Sequence, residues 1–88
     1  REALVGFVLP GTEVPGDGAA IVDAGRPAGR VTSARYSPFR GAVIGLAWVA
    51  PDKAQEGAAV EVRVKGTPAR AEVTLQAFYD PEGARLRQ

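Results

Sequence analysis

The chain has 88 residues, 45% apolar and 24% charged, with a net charge of +1, which fits one small globular domain and excludes a general polyanion binder. Cysteine and histidine are both absent. There is thus no disulfide framework, no thiol nucleophile, no Cys- or His-based metal site and no imidazole to act as a general base.

Glycine and proline punctuate the chain, and no segment carries a long 3.6-residue apolar repeat. The segments between them run apolar or alternate with period two, and they are rich in β-branched residues, as strands are. In chain order the expected strands are Leu4–Leu9, Ala19–Val22, Gly29–Ala34, Ala42–Val49, Ala59–Val64 and Ala69–Leu75. "GTEVPGDG" (11–18) reads as a Gly-rich turn between the first two, not as a phosphate loop. Asp23-Ala24-Gly25-Arg26 suits a hairpin turn, with Gly25 free to take positive φ. Pro51 to Gln55 suits a single helical turn opened by proline.

The final pair has a testable register. A two-residue loop at Lys65-Gly66 sets Val64 opposite Thr67, Val62 opposite Ala69 and Val60 opposite Ala71. Glu61 then faces Arg70, so one face is apolar and the other carries an opposite-charge pair. Six short strands with turns every 8–12 residues indicate an all-β barrel or sandwich, and a closed barrel removes the exposed edges.

"AVIGLAWVA" (42–50) is apolar at both parities: Val43, Ala47 and Val49 on one side, Ile44, Leu46 and Trp48 on the other. A strand of this kind is buried on both faces. The outer face needs a cover, either the Pro51–Gln55 turn or the C-terminal tail, or another domain that meets Trp48 and its neighbours. From Ala24 to Pro51 there is no acidic residue, and Arg26, Arg30, Arg35 and Arg40 share this span with Tyr36 and Phe39. Arginine beside aromatics suits anion, nucleic-acid or partner recognition. Equally, arginines of a surface pair with carboxylates at little gain. The expected contact surface is Arg35, Tyr36, Phe39, Arg40 and Trp48. Ser33 and Ser37 have no base to activate them, and their hydroxyls are expected to bond the backbone around Pro38.

Taken in order, "GRVTSARYSP", "GAVIGLAWV", "GAAVEVRVKGTPARAEV" and "AFYDP" resemble the C-terminal barrel of the aminomethyltransferase family, the glycine cleavage T-protein and its relatives. Gly29, Val31, Thr32, Ser33, Ser37, Pro38, Gly57, Val60, Val62, Phe78 and Tyr79 occupy the pattern positions, and Leu9-Pro10, Gly18 and Ile21 fit the first hairpin. The ending "FYDPEGARLR" is more similar to the version fused to the sarcosine oxidase large subunit or to dimethylglycine dehydrogenase.

The resemblance implies a six-stranded Greek-key barrel closing a three-domain enzyme around tetrahydrofolate. That cofactor would be bound mainly by the other domains, with no metal and with no catalytic residue in this segment. The partners it implies are the preceding folate-binding domains, in the same chain or on a partner subunit. Tyr79 and Arg85 are candidate contacts at the folate rim, the alternatives being a packed ring and a solvated tail charge. The rival class is a small nucleic-acid-binding or structural barrel, against which the near-neutral charge counts. The chain begins with Arg1 and holds no methionine, so residues 1–88 are expected to be one domain of a longer protein. No stretch fits a signal peptide or a spanning helix, so a cytoplasmic location without membrane contact is expected.

Overall fold

Lys65 and Gly66 both take positive φ, 54° and 80°, and Ala24 and Gly25 do the same at 53° and 80°. Two consecutive left-handed residues make the turn whose twist matches the strands it joins. In this computed structural model, which describes residues 2–75, those two turns set the registers of two hairpins. Six strands follow in order: β1 (Ala3–Pro10), β2 (Ala20–Asp23), β3 (Arg26–Ser37), β4 (Ala42–Val49), β5 (Ala59–Val64) and β6 (Thr67–Thr74).

Every neighbour is antiparallel, and the order β1-β4-β3-β2-β5-β6 closes on itself. Strands β2, β3 and β4 follow one another as neighbours, and β1 lies beside β4, which is the Greek-key arrangement. The expected fold class, an all-β six-stranded Greek-key barrel, is what the chain adopts. The β5–β6 pairs are those expected: Val64 with Thr67, Val62 with Ala69, Glu61 with Arg70 and Val60 with Ala71. Asp23 pairs with Arg26 across the other turn.

The interior is mostly valine. Val5, Phe7 and Leu9 of β1 meet Val43, Ala47 and Val49 of β4, Val60, Val62 and Val64 of β5, and Val73 of β6. A barrel of six short strands has room for few large side chains. Phe7 is fully buried and fits because Gly45 pairs with it on β4. A Cβ at Gly45 would lie 2.8 Å from the Phe7 ring and run into the Ser33 carbonyl oxygen. Gly29 is equally tight: a Cβ there would collide with the backbone of Trp48.

β3 is longer than expected, because two irregularities let it bend around the barrel while keeping its pairing. The register shifts between Ile21 and Val22 opposite β3, and again between Val31 and Ser33, where Thr32 is the extra residue of a bulge. The Thr32 hydroxyl donates to the Leu46 carbonyl at 3.2 Å. Strict alternation from the buried Val31 would send Ser33 and Arg35 inward. The bulge reverses the phase, so Ala34 packs on the core and Arg35 sits opposite Ile44 on the outside.

Pro51–Lys53 forms a single 3-10 turn, as the proline suggests. It does not cover the outer face of β4, one of the covers weighed above. Lys53 Nζ lies 3.1 Å from Asp23 Oδ2 at the β2–β3 turn, and Ala54 and Ala58 pack on the core. The turn therefore closes one end of the barrel, because the chain leaving β4 must cross that end to reach β5.

Beyond Ala58 the ladder runs out and a side chain takes over. Gly57 N–H donates to the Val73 carbonyl, and Val73 N–H donates to the Ala58 carbonyl. The next donor, Leu75 N–H, finds the Glu56 carboxylate at 2.7 Å, and Thr74 Oγ1 donates to the same group.

Two outcomes follow from this geometry. Gly45→Ala forces the Phe7 ring or the Ser33 peptide to move and is expected to cost ~1–3 kcal/mol in urea unfolding; an unchanged midpoint would mean the barrel wall yields freely there. Lys65→Asn places the residue best suited to positive φ before Gly66 and should stabilise by up to about 1 kcal/mol, read by the same titration, with a loss of stability contradicting the turn assignment.

Candidate functional site

The outer surface of β1 and β4 is built by the parity that fills the core. Val5, Phe7 and Leu9 point in, so Leu4, Gly6, Val8 and Pro10 point out; Val43, Ala47 and Val49 point in, so Ile44, Leu46 and Trp48 point out. Register then places Leu4 beside Trp48, Gly6 beside Leu46 and Val8 beside Ile44. The result is a continuous apolar patch on the outside of the barrel. Leu4 and Leu46 are 50% and 42% exposed, Trp48 is half-buried and Ile44 is only 4% exposed. Leu75, 56% exposed, lies just past the end of β6 on the other side of β1.

Of the expected contact residues, Trp48 lies in this patch. Arg35 adjoins it beside Ile44. Tyr36 pairs with Val43 near the end of β3, where it faces the barrel mouth and keeps 37% of its surface. Phe39, 65% exposed, and Arg40 lie in the β3–β4 connection. Ser37 organises that connection: its carbonyl accepts from Arg40 N–H and Gly41 N–H, and its hydroxyl accepts from Arg40 N–H at 3.3 Å. The expected local backbone role of Ser37 is thus what is found.

The four arginines do not gather into one patch. They are strung along the length of β3, from the β2–β3 turn at Arg26 to the β3–β4 connection at Arg40. Arg26 and Arg35 alone stand nine residues apart, roughly 30 Å of strand. Arg30 Nη1 donates to Glu2 Oε1 at 2.9 Å, an exposed pair beside Trp48. Tyr79 and Arg85 lie outside the described residues.

The depressions on the described surface are open crevices. One lies over β2, β5 and β6, with Val22, Glu61 and Arg70 on its walls; another runs between β1 and β6 past Val8, Ala71 and Glu72. Among the described residues no group of three or more acidic side chains stands close enough to hold a metal ion, and no helix is long and apolar enough to cross a membrane.

What the sequence reading missed is the division of the outer face. It treated Ile44, Leu46 and Trp48 as equivalent, whereas Ile44 is buried, Trp48 half-buried and Leu46 exposed. Period-two patterning reports which side of a sheet a residue is on, not what lies above it.

Residues 3–80 match the family described as the glycine cleavage T-protein C-terminal barrel domain. The chain is 37% identical over 79 residues to a probable aminomethyltransferase of Thermococcus kodakarensis, which spans 90% of this chain and 20% of that protein. It is 47% identical over 73 residues to an aminomethyltransferase of Thermus thermophilus, covering 78% of this chain and 19% of the relative. It is also 43% identical over 63 residues to a 4-methylaminobutanoate oxidase (formaldehyde-forming) of Paenarthrobacter nicotinovorans, covering 72% of this chain and 8% of that protein. The crystal structure of the glycine cleavage system aminomethyltransferase T of Bartonella henselae shares the fold, with a TM-score of 0.74 at 23% identity over 83% of this chain and 20% of that one. The chain spans about a fifth of the aminomethyltransferases it matches. It belongs to the glycine cleavage T-protein C-terminal barrel domain family.

Proposed function

We propose that this barrel is the closing domain of a folate-dependent one-carbon transfer enzyme and carries no chemistry of its own. The observation that supports this most directly is the exposed half of the outer face. Leu4, Leu46 and Trp48 form a contiguous apolar surface on the outside of β1 and β4. Apolar surface rimmed by charge, here Arg30 and Glu2, is what a docking face needs. In a three-domain enzyme the domains that precede the barrel would meet it there.

The crevices on the described surface are open to solvent. Tetrahydrofolate would be held mainly by the preceding domains, in the same chain or in a partner subunit, as the family resemblance implies. The arginine-bearing end of the barrel, Arg35 and Arg40 with Tyr36 and Phe39, would face the acidic tail of the cofactor or the adjoining domain. Tyr79 and Arg85 as rim contacts rest on the family resemblance alone. The donor differs among relatives: some are aminomethyltransferases and one is a methylaminobutanoate oxidase. The barrel would serve either reaction, because it would act on domain closure and not on the donor.

Two measurements test this. The 88-residue chain should show no aminomethyl transfer to tetrahydrofolate; turnover by the purified chain would overturn the accessory role. In the 88-residue chain, Leu46→Asp should change stability by less than ~0.5 kcal/mol, as exposed positions do. In the full-length enzyme the same substitution should lower both the melting temperature and the transfer rate. Equal tolerance in both settings would remove the docking face from β4.

A further inference from the structure

Two strands of the barrel run past their neighbours, and the two bare edges differ. Along a strand, a residue's N–H and C=O point to one side when its side chain faces in, and to the other when it faces out. On β6 the inward Val73 bonds Ala58 and Gly57 on the β5 side, so Pro68, Arg70 and Glu72 turn their backbone groups towards β1. The β1–β6 ladder stops at Val8 with Glu72. The next β1 residue on that side is Pro10, which has no N–H, and Pro68 has none either. Prolines therefore blunt this edge at the positions that face it.

The edge of β3 is built otherwise. The inward Val31 donates to the Ala19 carbonyl and accepts from Gly18 N–H, so its backbone groups face β2. There the preceding chain turns away: Ala19 N–H bonds the Gly16 carbonyl, and Glu13 Oε2 lies 3.9 Å from Lys65 Nζ at the β5–β6 turn. β3 continues to Ser37 paired with β4 alone. After the Thr32 bulge the inward residues are Ala34, packed on the core, and Tyr36 at the mouth. Their N–H and C=O groups thus point the way those of Val31 do, past the end of β2. Among the described residues no group bonds them. Both positions keep their N–H, and no proline guards this edge before Pro38.

We propose that the β3 edge from Ala34 to Tyr36 is a strand-addition site for a different polypeptide, one that supplies an extended segment alternating apolar and acidic residues. Main-chain pairing with an open sheet edge is how such a segment docks, and alternate side chains give it specificity. The alternation follows from the faces. Residues of the added strand beside Ala34 and Tyr36 continue the inner face and cover the Tyr36 ring, which keeps 37% of its surface. Those beside Arg35 lie on the outer face. The sign of the charge follows from the span 24–51, which holds Arg26, Arg30, Arg35 and Arg40 and no carboxylate, so an acid beside Arg35 makes an opposite-charge cross-strand pair. A second copy of this chain fits poorly, because antiparallel pairing of two such edges sets Arg35 opposite its own counterpart. The site does not depend on the folate reading or on the apolar patch of β1 and β4, since backbone at the end of β3 makes it.

The test is amide hydrogen exchange in the 88-residue chain, with the peptide acetyl-Val-Glu-Val-Glu-Val-amide as the added strand. In the dilute free chain the amides of Ala34 and Tyr36 should exchange fast, and that of Arg35, on the β4 side, slowly. Millimolar peptide should slow Ala34 and Tyr36 by ~10-fold or more and leave Arg70, on the proline-guarded edge, unchanged. Lysine in place of both peptide glutamates should weaken binding by about 5-fold or more, the size of a cross-strand charge reversal. An N-methylated peptide, which cannot form the ladder, should leave both amides fast. Exchange at Ala34 and Tyr36 that the peptide does not change overturns the proposal, as does equal slowing at Arg70. Equal binding of the lysine peptide overturns the acidic partner. Protection of the two amides without peptide also overturns it: the edge is then occupied by the chain itself or, where protection grows with chain concentration, by a second copy.

Discussion

The barrel depends on one aromatic ring and the glycine that makes room for it. Phe7 lies on β1, the strand shared by the two parts of the fold. On one side its backbone partner is Gly45 of β4, which leads through β3 to β2; on the other it is Val73 of β6. The β1–β6 ladder is short, from Gly6 with Thr74 to Val8 with Glu72, and β2–β5 is shorter still. Closure therefore cannot rest on ladder hydrogen bonds alone. It rests on burying Phe7 among valines from both parts, an interior contribution of roughly 2–3 kcal/mol for such a side chain. Valine elsewhere follows from the same limit, since a six-stranded interior that holds one phenylalanine has little volume left.

Once the ring and the valines fix which parity points inward, the outer face is determined too. Ile44, Leu46 and Trp48 are outward because Val43, Ala47 and Val49 are needed inside. The apolar outer strand is therefore informative: nothing in the packing of the interior requires those three to be apolar. Their character reflects what lies beyond the sheet, which is where a domain acting by contact must differ from a free-standing barrel.

Much of this was legible in the sequence, for identifiable reasons. Lys65-Gly66 with flanking alternation gave the β5–β6 register, because only one loop length puts Val60, Val62 and Val64 on the same face as Ala69 and Ala71 while pairing Glu61 with Arg70. The turn at Ala24-Gly25 was equally readable. The ordered motifs identified the family, and the fold came with it. What stayed hidden was non-local. The length of β3 depends on bulges that absorb an extra residue, and "GRVTSARYS" carries no mark of the phase change at Thr32. The destination of the Pro51 turn depends on Asp23, thirty residues upstream of Lys53 in sequence and adjacent only in the fold. The role of Glu56 depends on where β6 runs out of backbone partners. Of the candidate site, the outward positions of Trp48 and Arg35 follow from strand parity and register, while the four arginines that share one acid-free span of sequence are spread along β3 and its connections.

The bulge at Thr32 has a consequence for how this strand tolerates change over evolutionary time. Its single extra residue works as a phase shifter between two inward-facing sets, Val31 before it and Ala34 after it. Deletion of Thr32 would leave that phase intact, because Val31 inward, Ser33 outward, Ala34 inward and Arg35 outward is then ordinary alternation against consecutive residues of β4. What would go is the local bend and the bond from the Thr32 hydroxyl to the Leu46 carbonyl. The bulge is thus a spare position, and lineages carrying this barrel should differ by one residue there more readily than at the unbulged positions of the same ladder.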